Sequence, residues 1–498
     1  MKKIAFVIVT LLSLIIISCN NNDNNSTPDV ALANEVNDFV WKGLNLFYFW
    51  QSNVPELADN KFADQNELNS FLNTFSDPEN LFDNLLFDTQ NTDKWSWIVD
   101  DYVALEQQFQ GISKNNGVDF GLVRLQGSND VFGYVRAILP NSNASAKNIH
   151  RGDLFLEVDG QQITVDNFRD LLFGANNSYT LGLASITNNT ISLTGETVAL
   201  TKEEYTENPV FITKTFDING RKIGYLMYNA FTSTFDEQLN AAFGQLKADG
   251  ATDLVLDLRY NGGGSVRTAK YLASMITGQF TGQLFSRERW NAKLQSAIEG
   301  NDPSRLVENF SSEIVKKDNN GNITFQQGIN SLNLTKLYVL VTNSSASASE
   351  LVINGLNPYI DVKLIGEKTV GKYVASVTLY DSENFGRTGA NPNHTYAMQP
   401  IVLEEINKLG ENDKDGFDPD IVLQEDLTNL GVLGDANEPL LKKALDDITG
   451  VATAASAKTS ILHYEKIADA KAFSPLYNKM YIEKSFEAGE IKSLHENR

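Results

Sequence analysis

Lys336-Leu337-Tyr338-Val339-Leu340-Val341-Thr342-Asn343-Ser344-Ser345-Ala346-Ser347-Ala348-Ser349-Glu350 changes character halfway along its length. Lys336 to Thr342 is apolar and rich in residues that favour strands, whereas Ser347 to Leu356 reads as a helix. A buried strand that passes directly into a helix is the repeating joint of an α/β fold. The pattern recurs upstream, where Ile223 to Tyr228 and Leu254 to Leu258 read as buried strands and Phe235 to Ala248 and Val266 to Ile276 as helices. Val362 to Ile365 and Val374 to Tyr380 add further strands. The spacing therefore predicts an α/β core over residues 209–450. The charged, irregular stretch from Thr281 to Asn333 interrupts it and reads as an insertion or lid.

Three segments of this core carry chemistry. Ser347 stands at a helix start, where it is open to two readings: an N-cap, or a nucleophile whose oxyanion is met by free N–H groups and the positive end of the dipole. Ser344, Ser345 and Ser349 are equally able to cap. The second segment, Asp257-Leu258-Arg259-Tyr260-Asn261-Gly262-Gly263-Gly264, is a glycine-rich turn after a strand. It is not a phosphate loop, since no Lys-Ser/Thr follows and no G-x-G-x-x-G is present. The third is Gly366-Glu367-Lys368-Thr369-Val370-Gly371-Lys372.

Taken in chain order, Asp257 to Gly264, Asn343 to Glu350 and Gly366 to Lys372 resemble the C-terminal processing (tail-specific) serine peptidases, with their "D-L-R-x-N-x-G-G", "S-A-S-A-S-E" and "G-E-x-T-x-G-K" motifs. The resemblance implies a core of the crotonase/Clp-protease-like type. It also implies Ser347 as nucleophile and Lys372 as its base, with the N–H groups of Gly263 and Ala348 as the oxyanion hole. A serine hydroxyl needs such a base. A lysine serves near neutrality only if its pKa falls by about three units from about 10.4, a preference of about 4 kcal/mol for the neutral form, which burial can supply. One position departs from the family pattern: where a glutamine usually orients the lysine, this chain has Ser376. That departure keeps a second reading open, a weak or inactive peptide-binding receptor on the same fold. A Ser347–Asp381–His394 triad has the hydrolase order but lacks a G-x-S-x-G elbow and leaves the lysine segment without a role.

Working outward, residues 117–208 change to short β-like runs: Asp119 to Val123, Gly133 to Leu139, Leu154 to Val158 and Tyr179 to Ala184. Phe120-Gly121-Leu122 resembles a PDZ carboxylate-binding loop, and Arg151-Gly152-Asp153-Leu154 with Glu157-Val158-Asp159-Gly160 resembles a second stretch of that family. The resemblance implies a PDZ-like domain that takes peptide ends by strand addition. Residues 30–116 are helical in pattern, with Val36, Phe39, Val40, Gly43, Leu44 and Phe47 on one face. The aromatic run Phe47-Tyr48-Phe49-Trp50 is read as packing against a neighbouring domain in preference to a partner-facing surface. Residues 451–498 show only weak helical periodicity and read as an appendage.

The first eighteen residues are read as an export signal, with Lys2 and Lys3 ahead of an apolar run from Ile4 to Ile17. Cys19, the one cysteine in the chain, sits where a bacterial lipoprotein carries its lipid, and the Asn-rich residues 19–29 read as a tether. The expected location is thus the bacterial cell envelope, lipid-anchored on the periplasmic or outer-membrane side. With one cysteine no internal disulfide forms. The four histidines lack metal spacing, and Glu411 to Gly416 is half a calcium loop with Val422 where a glutamate belongs, so no metal or other cofactor is expected. A net charge of −22 argues against nucleic acid as a partner. The expectation is a multidomain α/β serine endopeptidase acting on protein tails, with protein substrates and a membrane as partners.

Overall fold

The computed structural model describes residues 31–451 and 464–491, apart from 126, 188, 189, 319, 320, 413, 485, 487, 488 and 490. The signal-like run, Cys19 and the tether lie outside these. No helix among the described residues is long and apolar enough to cross a membrane.

The core is a six-stranded sheet in the order Val210–Ile218, Arg221–Tyr228, Asp253–Asp257, Lys336–Val341, Asp361–Gly366, Ile421–Val422. Its first pair is antiparallel and the rest are parallel, as strand-to-helix crossovers require. Alternate side chains go to opposite faces. Leu226, Leu254, Leu256, Val339 and Val341 pack on one side with the helices Asp236–Ala248, Val266–Thr277 and Ala348–Leu356. Tyr225, Met227, Val255, Tyr338 and Leu340 pack on the other, under the helix Pro439–Thr449. Burying both faces is what makes these strands nearly continuous apolar runs.

A second sheet runs Gly264–Ser265, Met480–Tyr481, Val374–Ser376, Ile401–Ile406, Leu284–Trp290, Val307–Asn309. It corrects two expectations. The stretch 281–333 is not an insertion: Leu284–Trp290 is a sheet strand that buries Phe285, Ser286, Glu288 and Trp290 while Arg287 and Arg289 face out. The alternation was hidden because two of the buried side chains are polar. Nor is the chain end an appendage. Tyr464–Asp469 and Met480–Tyr481 are strands of two different sheets, and Phe486 and Ile491 are buried in the main core.

The β-rich domain is an antiparallel sheet of Val118–Leu125, Val131–Ile138, Leu154–Val158, Ser178–Thr187 and Thr190–Thr201 around its own core, with the short helix Phe168–Phe173. The N-terminal helices are Glu35–Phe47, Gln65–Leu72, Pro78–Asn84 and Tyr102–Phe109. Phe47 and Tyr48 are fully buried, Phe47 edge-on to Phe385 and Phe486, so this aromatic run is interdomain packing.

Candidate active site

Four serines crowd the turn between Lys336–Val341 and Ala348–Leu356, and hydrogen bonding separates them. Ser345 donates from Oγ to the Leu258 carbonyl at 2.8 Å, and Ser349 from Oγ to that of Asn261 at 2.9 Å. Lys466 donates to the Ser344 hydroxyl at 2.6 Å. These bonds, with Ala346 N–H to the Asn261 carbonyl at 3.1 Å, stitch the serine turn onto the end of the Asp253–Asp257 strand. Ser347 alone of the four leaves a buried hydroxyl without a partner. Its backbone, at φ 66° and ψ −118°, lies outside the regions that non-glycine residues favour. Such strain marks a side chain held up at a sharp strand-to-helix turn.

What holds the strain is Glu350, one turn into the helix. Its Oε2 accepts the N–H groups of Ser347 at 2.7 Å and Lys372 at 2.9 Å. Its Oε1 accepts the Thr369 hydroxyl at 2.5 Å and Gly371 N–H at 2.7 Å. One carboxylate thus brings the serine and lysine backbones onto a single oxygen atom. Burial raises the Glu350 pKa against the pull of these donors. The acidic loop that follows buttresses the same turn, with Phe417 N–H donating to Thr369 Oγ1 at 2.8 Å.

The Lys372 ammonium site is buried and its Nζ has no hydrogen-bond partner. Burial pushes its pKa well below the usual lysine range, and the neighbouring Lys479 pushes it further, while Asp93 and Glu350 oppose. The Trp95 ring lies 5.9 Å away. A lowered pKa favours the neutral amine a lysine base requires. Neither Lys372 Nζ nor Ser347 Oγ has a hydrogen-bond partner, so the two are not hydrogen-bonded to each other in this structure.

Gly263 packs directly on the serine turn. A Cβ there would fall 2.5 Å from Ser347 Cβ, 2.6 Å from Ser347 Oγ and 2.9 Å from Ala348 N, at φ +106°. Ala348 opens the helix, so its N–H has no intrahelical acceptor. The Gly263 N–H instead donates to Asn261 Oδ1 at 2.9 Å, so in this structure it is turned away from the hole assigned to it.

Two assignments are revised. Ser376 does not hydrogen-bond the lysine: its hydroxyl bonds Gln399 Oε1 at 2.6 Å and the Met480 carbonyl at 3.2 Å. Asp93 and Trp95, on the N-terminal segment, flank Lys372 in its place, and no local pattern announced them. Phe120, Gly121 and Leu122 do form a strand, but both its edges are taken, one by Val131–Ile138 and the other by Tyr464–Asp469. The His394–Asp381 pair exists at 3.0 Å, yet it lies against Phe39 and Tyr396 and neither residue bonds Ser347. Among the described residues no group of three or more His, Cys, Asp or Glu could hold a metal ion.

Residues 222–422 match the profile of Peptidase family S41, and 35–97 that of the Peptidase S41 N-terminal domain. The chain is 27% identical over 316 residues to the carboxyl-terminal-processing protease of a Picosynechococcus species, covering 62% of this chain and 65% of the relative. It is 27% identical over 320 residues to the chloroplastic C-terminal processing peptidase of Tetradesmus obliquus, covering 61% and 60%. It thus spans less than two thirds of the length of either relative. A crystal structure from Bacteroides fragilis, assigned to the S41 proteases, superposes with a TM-score of 0.60 at 24% identity, covering 83% of this chain and 98% of that one. It shows the same multidomain fold.

Proposed function

From the premise that this chain is a member of peptidase family S41, we propose that it is a Ser/Lys endopeptidase that cuts unstructured protein tails. The observation that carries the reading is the Glu350 carboxylate, which gathers the N–H groups of Ser347 and Lys372 on one oxygen. In the reaction Lys372 Nζ, neutral through burial, takes the proton of Ser347 Oγ as the oxygen attacks a peptide carbonyl. The oxyanion falls between the Ala348 N–H and the Gly263 turn; Gly263 contributes its N–H once that group leaves Asn261. Lys372 returns the proton to the leaving amine, and water releases the acyl-serine by the same proton path. The PDZ-like domain guides the tail by strand addition at the edge that Tyr464–Asp469 occupies in this structure, once that strand leaves it. A lipid on Cys19 holds the enzyme at the membrane of the bacterial envelope.

The full chain should digest casein in the presence of a chelator, and Ser347→Ala and Lys372→Met should each abolish digestion. A folded wild type that binds casein-derived peptides across pH without cutting them would instead make the protein a peptide receptor. Incorporation of a palmitate analogue in cells, lost in Cys19→Ser, tests the anchor.

A further inference from the structure

In this structure the proposed nucleophile cannot be reached: Ser347 is 0% and Lys372 1% exposed. The cleft of about 620 Å³ between the β-rich domain and the core runs up to Gly262, Gly263 and Gly264, yet neither Ser347 nor Lys372 is in its wall. Residues 476–478 and Tyr481 are in that wall, at the end where it meets the glycine turn. The same segment has filled the peptide groove upstream. Tyr464–Asp469 runs antiparallel to Gly121–Leu125, and Ala470 N–H continues the ladder to the Phe120 carbonyl at 2.9 Å. Strand addition to a sheet edge is how an extended peptide ligand binds. Here the incoming strand does not end at Phe120 but continues to the catalytic turns. Asn478 abuts Gly262, Met480–Tyr481 pairs with Gly264–Ser265, and Ile482 N–H donates to the Ser376 carbonyl at 3.0 Å. Lys479 donates to the Trp95 carbonyl at 2.6 Å, which sets its ammonium beside Lys372.

We propose that residues 464–482 are a built-in strap: they occupy the groove and the lane to Ser347 that an extended substrate takes, and substrate must displace them. The proposal rests on the peptidase reading of Ser347. The attachments of this segment to the β-rich domain and the serine turn are partly exposed and partly buried. Glu465 meets Arg124 in a solvent-exposed ion pair, Lys466 bonds the Ser344 hydroxyl, and Lys471 reaches Glu207 at 3.4 Å. The exposed Arg124–Glu465 pair contributes about 1 kcal/mol or less, whereas Asp469 is buried and pairs with the buried Arg136 at 3.6 Å. The permanent anchor lies beyond the strap, where Phe486 packs on Phe47 and Trp290 and Lys484 pairs with Glu288 in the interior. A segment fixed at its far end can open without leaving, and the buried Arg136–Asp469 pair is the contact that opening must break.

Arg124 and Glu465 are opposite one another in the ladder. Opposed residues of an antiparallel pair have Cα atoms about 4.5–5.5 Å apart, within the span of a disulfide. The full chain carrying Arg124→Cys and Glu465→Cys, with Cys19→Ser so that no other thiol is present, should lock the strap when oxidised. Casein cleavage and fluorophosphonate labelling of Ser347 should both be slower in the oxidised form by more than about tenfold, and reductant should restore them in the same sample. Equal rates in the two states, or failure of the disulfide to form under oxidant, would overturn the proposal. In a Ser347→Ala background a fluorescein-labelled peptide of residues 464–482 should bind the reduced form and not the oxidised one. Equal binding, or none to either, also overturns it. Differential binding with no cleavage in either state would refute the peptidase reading and leave the strap standing.

Discussion

Gly263→Ala isolates the contact on which the proposed oxyanion site depends. The added methyl would lie 2.5 Å from Ser347 Cβ and 2.6 Å from its Oγ. Carbon atoms in good contact sit about 3.5–4.0 Å apart, so one side of the site must move by about 1 Å. The neighbour cannot swing away, because Ser347 is fixed through Glu350 and Ala346 through Asn261. The alanine also inherits φ +106°, a conformation that costs about 1–3 kcal/mol outside glycine. A displacement of about 1 Å between reacting groups costs about 100-fold, equivalent to about 2.7 kcal/mol of barrier. The expected result is a fall of that size in kcat/KM on an internally quenched peptide, with fluorophosphonate labelling slowed in parallel. Gly262→Ala is the control, since its methyl would meet Asn478 of the strap at 2.9 Å and not the serine. It should leave labelling intact or accelerate it. A folded Gly263→Ala enzyme that keeps kcat/KM within about threefold of wild type would refute the placement of the reacting carbonyl at this turn.

Other outcomes follow from the buried charges. Glu350→Gln keeps one acceptor oxygen and turns an amide NH2 on backbone N–H groups. Losing two charge-assisted bonds at about 1.5–3 kcal/mol each should lower stability in urea by about 3 kcal/mol and labelling by more than about 100-fold. Burial lowers the Lys372 pKa in the folded state, so the unfolded chain binds its proton more readily. Wild-type stability should therefore rise with pH toward about 10.4, and Lys372→Met, more stable at pH 7, should lose that slope in melting curves while losing activity. Burial raises Asp236 to about 7, with the Thr268 hydroxyl opposing it. A raised carboxyl gives stability that is full below about pH 4 and lost as pH passes 7. Asp236→Asn should thus match wild type in urea near pH 4 and exceed it at pH 8, by at most about 4 kcal/mol.

The parts of this fold that the sequence discloses are those where local preference and final environment agree. Residues 337–341 and 254–256 are buried on both faces, so they are apolar without interruption, and the turns after them carry glycine or serine for steric reasons visible in the chain itself. The identity of the nucleophile is different. Ser344, Ser345, Ser347 and Ser349 share one local context, and what separates them is made elsewhere in the chain: Lys466 bonds Ser344, and the Leu258–Asn261 backbone eighty-odd residues upstream takes Ser345 and Ser349. Family resemblance pointed to Ser347, while the physical reason for the choice needed the fold.

Still less legible was anything made by pairing across the whole chain. Met480–Tyr481 is two residues long, has no periodicity to detect, and is a strand only because Gly264–Ser265 and Ser376 leave a lane between them. The same holds for Asp93, which reads as one acidic residue among sixty-three until Tyr48, Trp95 and Ser96 are seen to fix it near Lys372. Both belong to segments that come to the Lys372 site from outside the α/β core, one from each side of it in sequence. The core supplies serine, lysine and the glycine turn through short connections, and those motifs are readable because they are local. Whether that chemistry is open or shut is decided by the outlying segments. Their hold on the site is a matter of contacts formed only in the folded molecule, so control of the proposed peptidase is encoded where sequence patterns are weakest.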